Sequence, residues 1–317
     1  MAEFFFEKDG NWNIKNVTKP EFVLILLDPI PIENDLRNAY INYYTHYDEE
    51  KSETLKQRFF NEIKEGYWAD RYGYQKGKVS LWNKIFGKLI YLHPGKRSEV
   101  DFDIYYLQAQ RGAKLLEIGC GSGKNLKRLQ DLGWDVEGVD FDSSAVKNAE
   151  SKGLKVHLGV VEDISYPDDS FDVIVLCHVI EHVYDPRQVM RECYRILKPK
   201  GRLVIFTPNN QSMAIRLFKS SCLSIYPPRH LRVFSMLSLI SLAEGTGFQI
   251  KEAMTTMRGA DVVFYTSRSI KNAGKCDLGE TKPPVAKAWA SGLQLLEWIA
   301  LKANSNLGEE NYLVAIK

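Results

Sequence analysis

The segment Glu117-Ile-Gly119-Cys120-Gly121-Ser-Gly123 carries three glycines in five positions, directly after the apolar run Leu115–Ile118. Glycines at such spacing let a backbone turn tightly and approach a ligand with no Cβ in the way. Leu126, Leu129 and Leu132 then mark a helix closed by Gly133. A loop that feeds a helix N-terminus offers unpaired N–H groups and partial positive charge, which suit a carboxylate or a phosphate. A second reactive set follows in His178-Val-Ile-Glu181-His182 and in Pro227-Pro-Arg229-His230-Leu-Arg232. Histidine takes up and releases protons near neutrality, so His182, His230 and His178 are candidate general bases. Each has a plainer alternative, a ring hydrogen-bonded to backbone that shapes a pocket. Arg229 and Arg232 either meet an anionic acceptor or face solvent.

Two ligand classes compete for the glycine loop. A dinucleotide fingerprint needs its third glycine at position 124, where this chain has Lys124. A pyrophosphate gains nothing from Glu117, whereas the amino-acid end of S-adenosylmethionine can use both the acid and the loop amides. Asp140 ends the next strand and can accept two hydrogen bonds from a ribose diol, a feature both ligands share.

The elements that must position these residues alternate between strand and helix. Strands are expected at Leu115–Ile118, Trp134–Asp140, Leu154–Leu158, Phe171–Cys177, Arg202–Thr207, Phe248–Met257 and Tyr312–Ile316. A helix starts at Ser143 with a serine cap. Asp185 caps another, with Pro186 in its first turn and an apolar stripe of Val189, Met190, Cys193, Ile196 and Leu197. Ser235 caps a helix that stops at Gly245. This alternation implies a doubly wound α/β sheet. Residues 1–100 form a separate, mainly helical cap, with ten aromatics between Tyr40 and Tyr74 and a charged helix over Asp48–Glu65. The turn-rich His93-Pro-Gly-Lys-Arg-Ser joins it to the main domain, residues 101–317. Residues 258–307 are a helical insertion before the last strand, with an amphipathic helix at Ala286–Ala303 whose apolar positions are Trp289, Leu293, Leu296, Trp298 and Ile299.

Glu-Ile-Gly-Cys-Gly-Ser-Gly, Gly138-Val-Asp140, Ser170-Phe-Asp-Val-Ile-Val, His178-Val-Ile-Glu-His182 and Leu197-Lys-Pro-Lys-Gly-Arg-Leu, in that order, resemble the successive motifs of class I S-adenosylmethionine-dependent methyltransferases. The flavour is that of bacterial small-molecule and ubiquinone-pathway O-methyltransferases. The resemblance covers residues 113–257 and the final strand. It implies a Rossmann-like seven-stranded sheet of order 3-2-1-4-5-7-6 with the last strand antiparallel. By position, it places Glu117, Gly119 and Gly121 at the methionine end, Asp140 on the ribose, and Cys120, Gly123, Phe141, Val161, Glu162, Asp163 and Cys177 elsewhere around the cofactor. Val160 stands where many relatives have an aspartate, which leaves Glu162 or Asp163 to meet the adenine amine. Near-neighbours often begin with a four-cysteine zinc ribbon, and this chain has no cysteine before Cys120. The His178/Glu181/His182/His230 set resembles the metal motif of some relatives, but a histidine replaces its first glutamate and such a set suits Mg²⁺ less well than an all-oxygen shell. No metal is expected.

Bulk properties narrow the function classes. At 317 residues with 44% apolar and 26% charged residues, the chain has the make-up of a globular protein with a large core. A net charge of +2 lacks the basic excess of a nucleic-acid binder and favours a small neutral or modestly anionic acceptor, and the resemblance implies a small-molecule or saccharide one. Five cysteines without C-x-x-C spacing suggest neither zinc nor a disulfide frame, so a reducing, cytoplasmic setting is expected. The start of the chain lacks the features of a signal peptide, and the run Phe22–Leu27 is too short to span a bilayer. A homodimer is compatible with the sequence. Competing readings are an RNA methyltransferase, a non-catalytic adenosylmethionine-binding scaffold and, more distantly, a nucleotide-dependent oxidoreductase.

Overall fold

The computed structural model describes residues 13–19, 22–31, 54–74, 80–274 and 283–317. They belong to two compact units, residues 45–175 on one side and residues 1–44 with 176–317 on the other.

In the first unit, α1 (Leu55–Tyr72) starts in a capping box. The Thr54 hydroxyl accepts from the Gln57 backbone, and the Gln57 side chain reaches back to the Thr54 N–H. Helix α2 (Leu81–Gly87) continues as a tight turn over Lys88–Leu92. The joint expected at residues 93–98 is instead the start of α3 (Pro94–Phe102). Pro94 costs nothing in a first helical turn, and the His93 ring accepts from the Lys96 N–H at 3.2 Å. Strands β3 (Lys114–Ile118), β4 (Asp135–Asp140) and β5 (Lys155–Leu158) pair in parallel, and α4 (Lys124–Asp131) and α5 (Ser143–Ser151) connect them. The cap of α5 is Asp142 rather than Ser143, because one carboxylate oxygen accepts from both Ser144 and Ala145 at 2.8 Å.

Of the aromatics between Tyr40 and Tyr74, Tyr67, Trp68, Tyr72 and Tyr74 are buried, and Phe59 and Phe60 are exposed. Three of the four buried polar tips are hydrogen-bonded, Tyr67 Oη to Asp101 at 2.7 Å, Trp68 Nε1 to Val100 O at 2.8 Å, and Tyr74 Oη from Trp134 Nε1 at 3.0 Å, while the Tyr72 hydroxyl has no hydrogen-bond partner among the described residues. Tyr40, Tyr43, Tyr44 and Cys276 lie outside the described residues, as does the first part of the charged stretch that begins at Asp48.

The second unit holds β1 (Asn13–Lys19) and β2 (Phe22–Asp28), an antiparallel pair extended by β8 (Arg232–Phe234). The region read as a mainly helical cap therefore contains two strands. Alternation explains it: Ile25 and Leu27 are buried, whereas Leu24 and Leu26 are only half-buried, the period of a one-sided sheet. Helix α6 (Pro186–Ile196) follows expectation, with Asp185 accepting from Arg187 and Gln188 and with Val189, Met190, Cys193 and Ile196 buried. Strand β7 (Leu197–Pro208) starts as soon as α6 ends and is longer than residues 202–207. Helices α7 (Met213–Phe218) and α8 (Met236–Glu244) precede β9 (Gln249–Thr256). The insertion consists of α9 (Ala260–Ala273) and α10 (Pro284–Ala303), and β10 (Glu310–Ile316) runs antiparallel to both β7 and β9. With β6 (Phe171–Cys177), the chain has a seven-stranded, mostly parallel sheet of order β5-β4-β3-β6-β7-β10-β9.

The apolar stripe expected on α10 is only partly inward. Trp289 and Leu293 pack on a cluster that includes Ala214, Phe264 and Ala290, but Leu296 and Ile299 are exposed. The helix is rotated to bury Gln294 and Glu297, whose side chains hydrogen-bond Met257 O at 3.2 Å and the Glu309 N–H at 3.1 Å. No described helix is long and apolar enough to cross a membrane.

Candidate functional site

In the first unit, the glycine loop is wound by positive φ at Gly119, Gly121 and Gly123. Gly123 cannot be replaced cheaply. Its φ is +74°, and a Cβ there would lie 2.4 Å from Leu154 Cδ1. Gly138 in β4 clears the loop from below, since a Cβ would stand 2.7 Å from both Cys120 Sγ and Leu126 Cδ1. Asp140 holds the loop's shape by accepting from Gly121 N at 2.8 Å and from Asp142 N at 2.9 Å.

Glu117 is buried, and its Oε1 accepts from the Tyr105 hydroxyl. Its Oε2 is buried with no hydrogen-bond partner among the described residues. Burial, opposed by the Tyr105 hydrogen bond and reinforced by the charge of Asp140, pushes the Glu117 carboxyl up to about 8. Asn125 Nδ2 donates to Tyr105 Oη at 2.7 Å, and Arg128 joins Asn125 at 2.9 Å to Asp103 at 3.0 Å. Tyr105 and Asn125 were not candidates from the sequence. The one local signal is the placing of Asn125 two residues after Gly123, in the first turn of α4. Tyr105 arrives through a left-handed turn at φ 53° that no spacing announces.

At the carboxyl ends of β4 and β5, Phe141, Leu158 and Val160 are exposed. The tight turn Val161–Asp163 buries Val161, half-buries Glu162 and leaves Asp163 exposed. Burial keeps the Cys120 thiol protonated, far above its ordinary range.

In the second unit, the residues after β6 form a polar cluster around the buried Glu181 and Glu310, with His178 only half-buried. His178, at φ 53°, has Nδ1 3.1 Å from Glu181 Oε1 and Nε2 2.8 Å from Glu310 Oε1. Arg258 donates to Glu310, with Nε at 3.0 Å, and its Nη2 lies 2.7 Å from His178 Nε2. Thr207 donates to Glu181 Oε2 at 2.9 Å. Two buried carboxylates are thus matched by Arg258 and a protonated His178, a neutral set. Burial alone would lower His178, but its two carboxylate partners raise it to about 9. Burial would raise Glu181 and Glu310, but His178 and the neighbouring histidines hold Glu181, and Arg258 with His178 holds Glu310, each at about 2.

His182 and His230 differ from His178. His182 Nδ1 donates to Arg229 O at 2.9 Å, and His230 Nδ1 donates to Ser224 O at 2.8 Å. Each bond fixes the tautomer with Nε2 as the acceptor. The ring centroids are 4.8 Å apart. Burial, against the pull of Glu181, lowers His182; burial and the neighbouring His182 take His230 down to about 3. Both rings are neutral at pH 7. Glu181, His182 and His230 each bring a ligand atom within 4.8 Å of the others, the described set closest to metal-binding geometry. Arg229 and Arg232 turn inward: Arg229 lies over the Tyr226 ring at 4.8 Å, and Arg232 donates to Val183 O and, at 2.7 Å, to Tyr184 O.

Residues 98–253 match the family described as a methyltransferase domain. This stretch is a class I S-adenosylmethionine-dependent methyltransferase domain. A probable S-adenosylmethionine-dependent methyltransferase of Mycolicibacterium smegmatis is 30% identical over 177 residues, 55% of this chain and 66% of the relative. The ubiquinone biosynthesis O-methyltransferase of Bradyrhizobium diazoefficiens is 32% identical over 157 residues, 47% of this chain and 59% of the relative. The chain thus spans about three-fifths of these relatives' length. A solved S-adenosylmethionine-dependent methyltransferase from Thermotoga maritima superposes with a TM-score of 0.47 at 19% identity, covering 74% of this chain and 95% of that one. S-adenosylmethionine is the family's cofactor, and the loop residues fit it. The unpartnered Glu117 Oε2 suits an ammonium group, the start of α4 suits a carboxylate, and Phe141, Leu158 and Val160 suit the faces of an adenine ring.

Proposed function

We propose that this protein transfers a methyl group from S-adenosylmethionine to an oxygen atom of a small molecule or sugar, with His182 as the proton acceptor. The bound cofactor supplies an electrophilic methyl carbon on a sulfonium. The chain's own tasks are then to hold both reactants in line and to remove the acceptor's proton. In the first unit, Glu117, Asp140 and the glycine loop bind and orient. In the second, the observation that carries the reading is the tautomer of His182, with Nδ1–H tied to Arg229 O and Nε2 left as the basic atom 4.0 Å from the Glu181 carboxylate.

That carboxylate is ionised and stabilises the imidazolium formed on proton uptake. His230 is held too low to be a good base and serves as a hydrogen-bond acceptor beside it. His178, already protonated between Glu181 and Glu310, is a positioning residue rather than a base. The O-methyltransferase relative supports oxygen as the acceptor atom. The test is transfer of labelled methyl to a panel of phenols, alcohols and sugars. Turnover that His182→Ala removes and His178→Gln largely keeps supports the assignment. Turnover that survives His182→Ala contradicts it.

A further inference from the structure

A run of exposed apolar side chains precedes the glycine loop and the histidines in the chain. Leu81, Trp82, Ile85, Phe86, Leu89 and Leu92 are between 39% and 79% exposed, although all six are large apolar side chains on one short helical segment. Their spacing places them along one stripe of α2 and the turn that continues it. Phe59 of α1 extends the patch, its ring centroid 6.4 Å from that of Phe86.

This exposure is built in by the packing. The opposite side of α2 is pressed against α1 through two glycines. A Cβ on Gly66 would stand 1.9 Å from Asn83 O, and one on Gly87 would stand 2.6 Å from Tyr67 N. Backbone meets backbone there, so α2 cannot roll to bury its apolar stripe. Tyr67 and Trp68, buried beneath with their polar tips hydrogen-bonded, make the support rigid.

The charge around the stripe selects its occupant. Residues 81–92 contain Lys84 and Lys88 and no acidic residue, whereas Lys96 and Arg97 beyond them are paired with Glu99 and Asp101. Lys84 and Lys88 are exposed on the same segment as the apolar side chains. Large apolar residues with a tryptophan, flanked by lysines, are the pattern of a helix that lies in the headgroup layer of a bilayer. A protein groove would call for acids to pair with nearby cations. An anionic lipid surface needs only the lysines and the apolar stripe.

We propose that Leu81–Leu92 is a docking element for anionic lipid surfaces. It inserts Trp82, Ile85, Phe86 and Leu89 between headgroups while Lys84 and Lys88 face lipid charge. This reading does not depend on the identity of the methyl acceptor. The full chain would be sedimented with phosphatidylcholine vesicles, with and without phosphatidylglycerol. Two variants would run beside it: Trp82→Ser/Leu89→Ser and the charge reversal Lys84→Glu/Lys88→Glu, which alters only exposed side chains.

The expected result is binding to the phosphatidylglycerol vesicles that weakens with added salt. It should fall at least tenfold in the serine variant and lose its anionic preference in the charge-reversed variant. Light scattering without lipid completes the test. Wild-type protein that stays in the supernatant, or vesicle binding unchanged in the charge-reversed variant, would overturn the proposal. So would a wild-type dimer that either variant dissociates, because the patch would then be a contact between copies of the chain.

Discussion

Two buried acids, Glu117 and Glu181, stand in opposite electrostatic settings. Glu181 is enclosed with Glu310, Arg258 and His178, so each negative charge meets a positive one within the second unit. Glu117 has a tyrosine hydroxyl on one oxygen, no hydrogen-bond partner on the other among the described residues, and a second acid, Asp140, raising it further. The first arrangement is complete in itself and stabilises the fold. The second is costly unless a cation arrives, which is what a binding site for an ammonium group requires. A buried acid alone says little about function. Whether its charge is answered from within the chain says much more.

The contrast can be broken at four places. The largest effect is expected on turnover. His182→Ala should lower kcat by about 10²–10⁴, the usual worth of a positioned base, with little change in cofactor affinity. In the wild type, the rate should be flat above the ordinary histidine value of 6.5 and fall only at lower pH, since His182 is shifted downward. A rate that already falls on going below pH 8 would point to another base.

The next largest effect concerns the compensated cluster. His178→Ala leaves two buried carboxylates facing one arginine, and because the His178 side chain is itself 38% exposed, chemical denaturation at neutral pH should show a loss of about 2–3 kcal/mol, less than for a fully buried pair. His178 has a raised folded value, so its stabilisation is fully present below 6.5 and fades as pH rises through about 9. Wild type and variant should therefore converge at alkaline pH. Parallel pH curves would show that His178 carries no charge there.

For the uncompensated acid, Glu117→Gln should weaken binding of S-adenosylmethionine by about 1.5–3 kcal/mol, the range for a hydrogen bond to a charged group. Binding to the wild type should release protons below pH 8, because an arriving ammonium group favours the ionised form of a carboxyl raised to about 8. Calorimetry in buffers of different ionisation enthalpy reads this directly, and a heat independent of buffer would contradict it.

The smallest effect lies away from both sites. Burial and the neighbouring Glu309 raise Glu297 to about 10. An acid with a raised folded value costs stability as pH rises from 4.5 towards that value. Glu297→Gln should remove that cost and raise the melting temperature at neutral pH by a few degrees, about 1 kcal/mol. A lowered melting temperature would mean the carboxylate is needed as such.

Much of the local geometry of the first unit's candidate site was legible in the chain because its signals are local. A strand, three glycines and a helix start within about ten residues are bound to each other by backbone geometry, and Asp140 is fixed by its place at the end of β4. Tyr105 was not legible, since only a left-handed turn brings its hydroxyl to Glu117. The histidines were visible as residues, but their division of labour was not. Arg258 and Glu310 lie 80 and 132 residues beyond His178, and β10 brings Glu310 to it only by pairing with β7 and β9. The strands at residues 13–28 were missed for a similar reason, as their third partner, β8, lies over 200 residues away.

The central claim is that the loop around Glu117 and Asp140 cradles S-adenosylmethionine. Isothermal titration with S-adenosylhomocysteine, on the wild type and on Asp140→Ala, tests it most directly. Micromolar binding to the wild type, and its loss in a folded Asp140→Ala protein, are expected. No heat from folded wild type, or equal affinity in the variant, would contradict it.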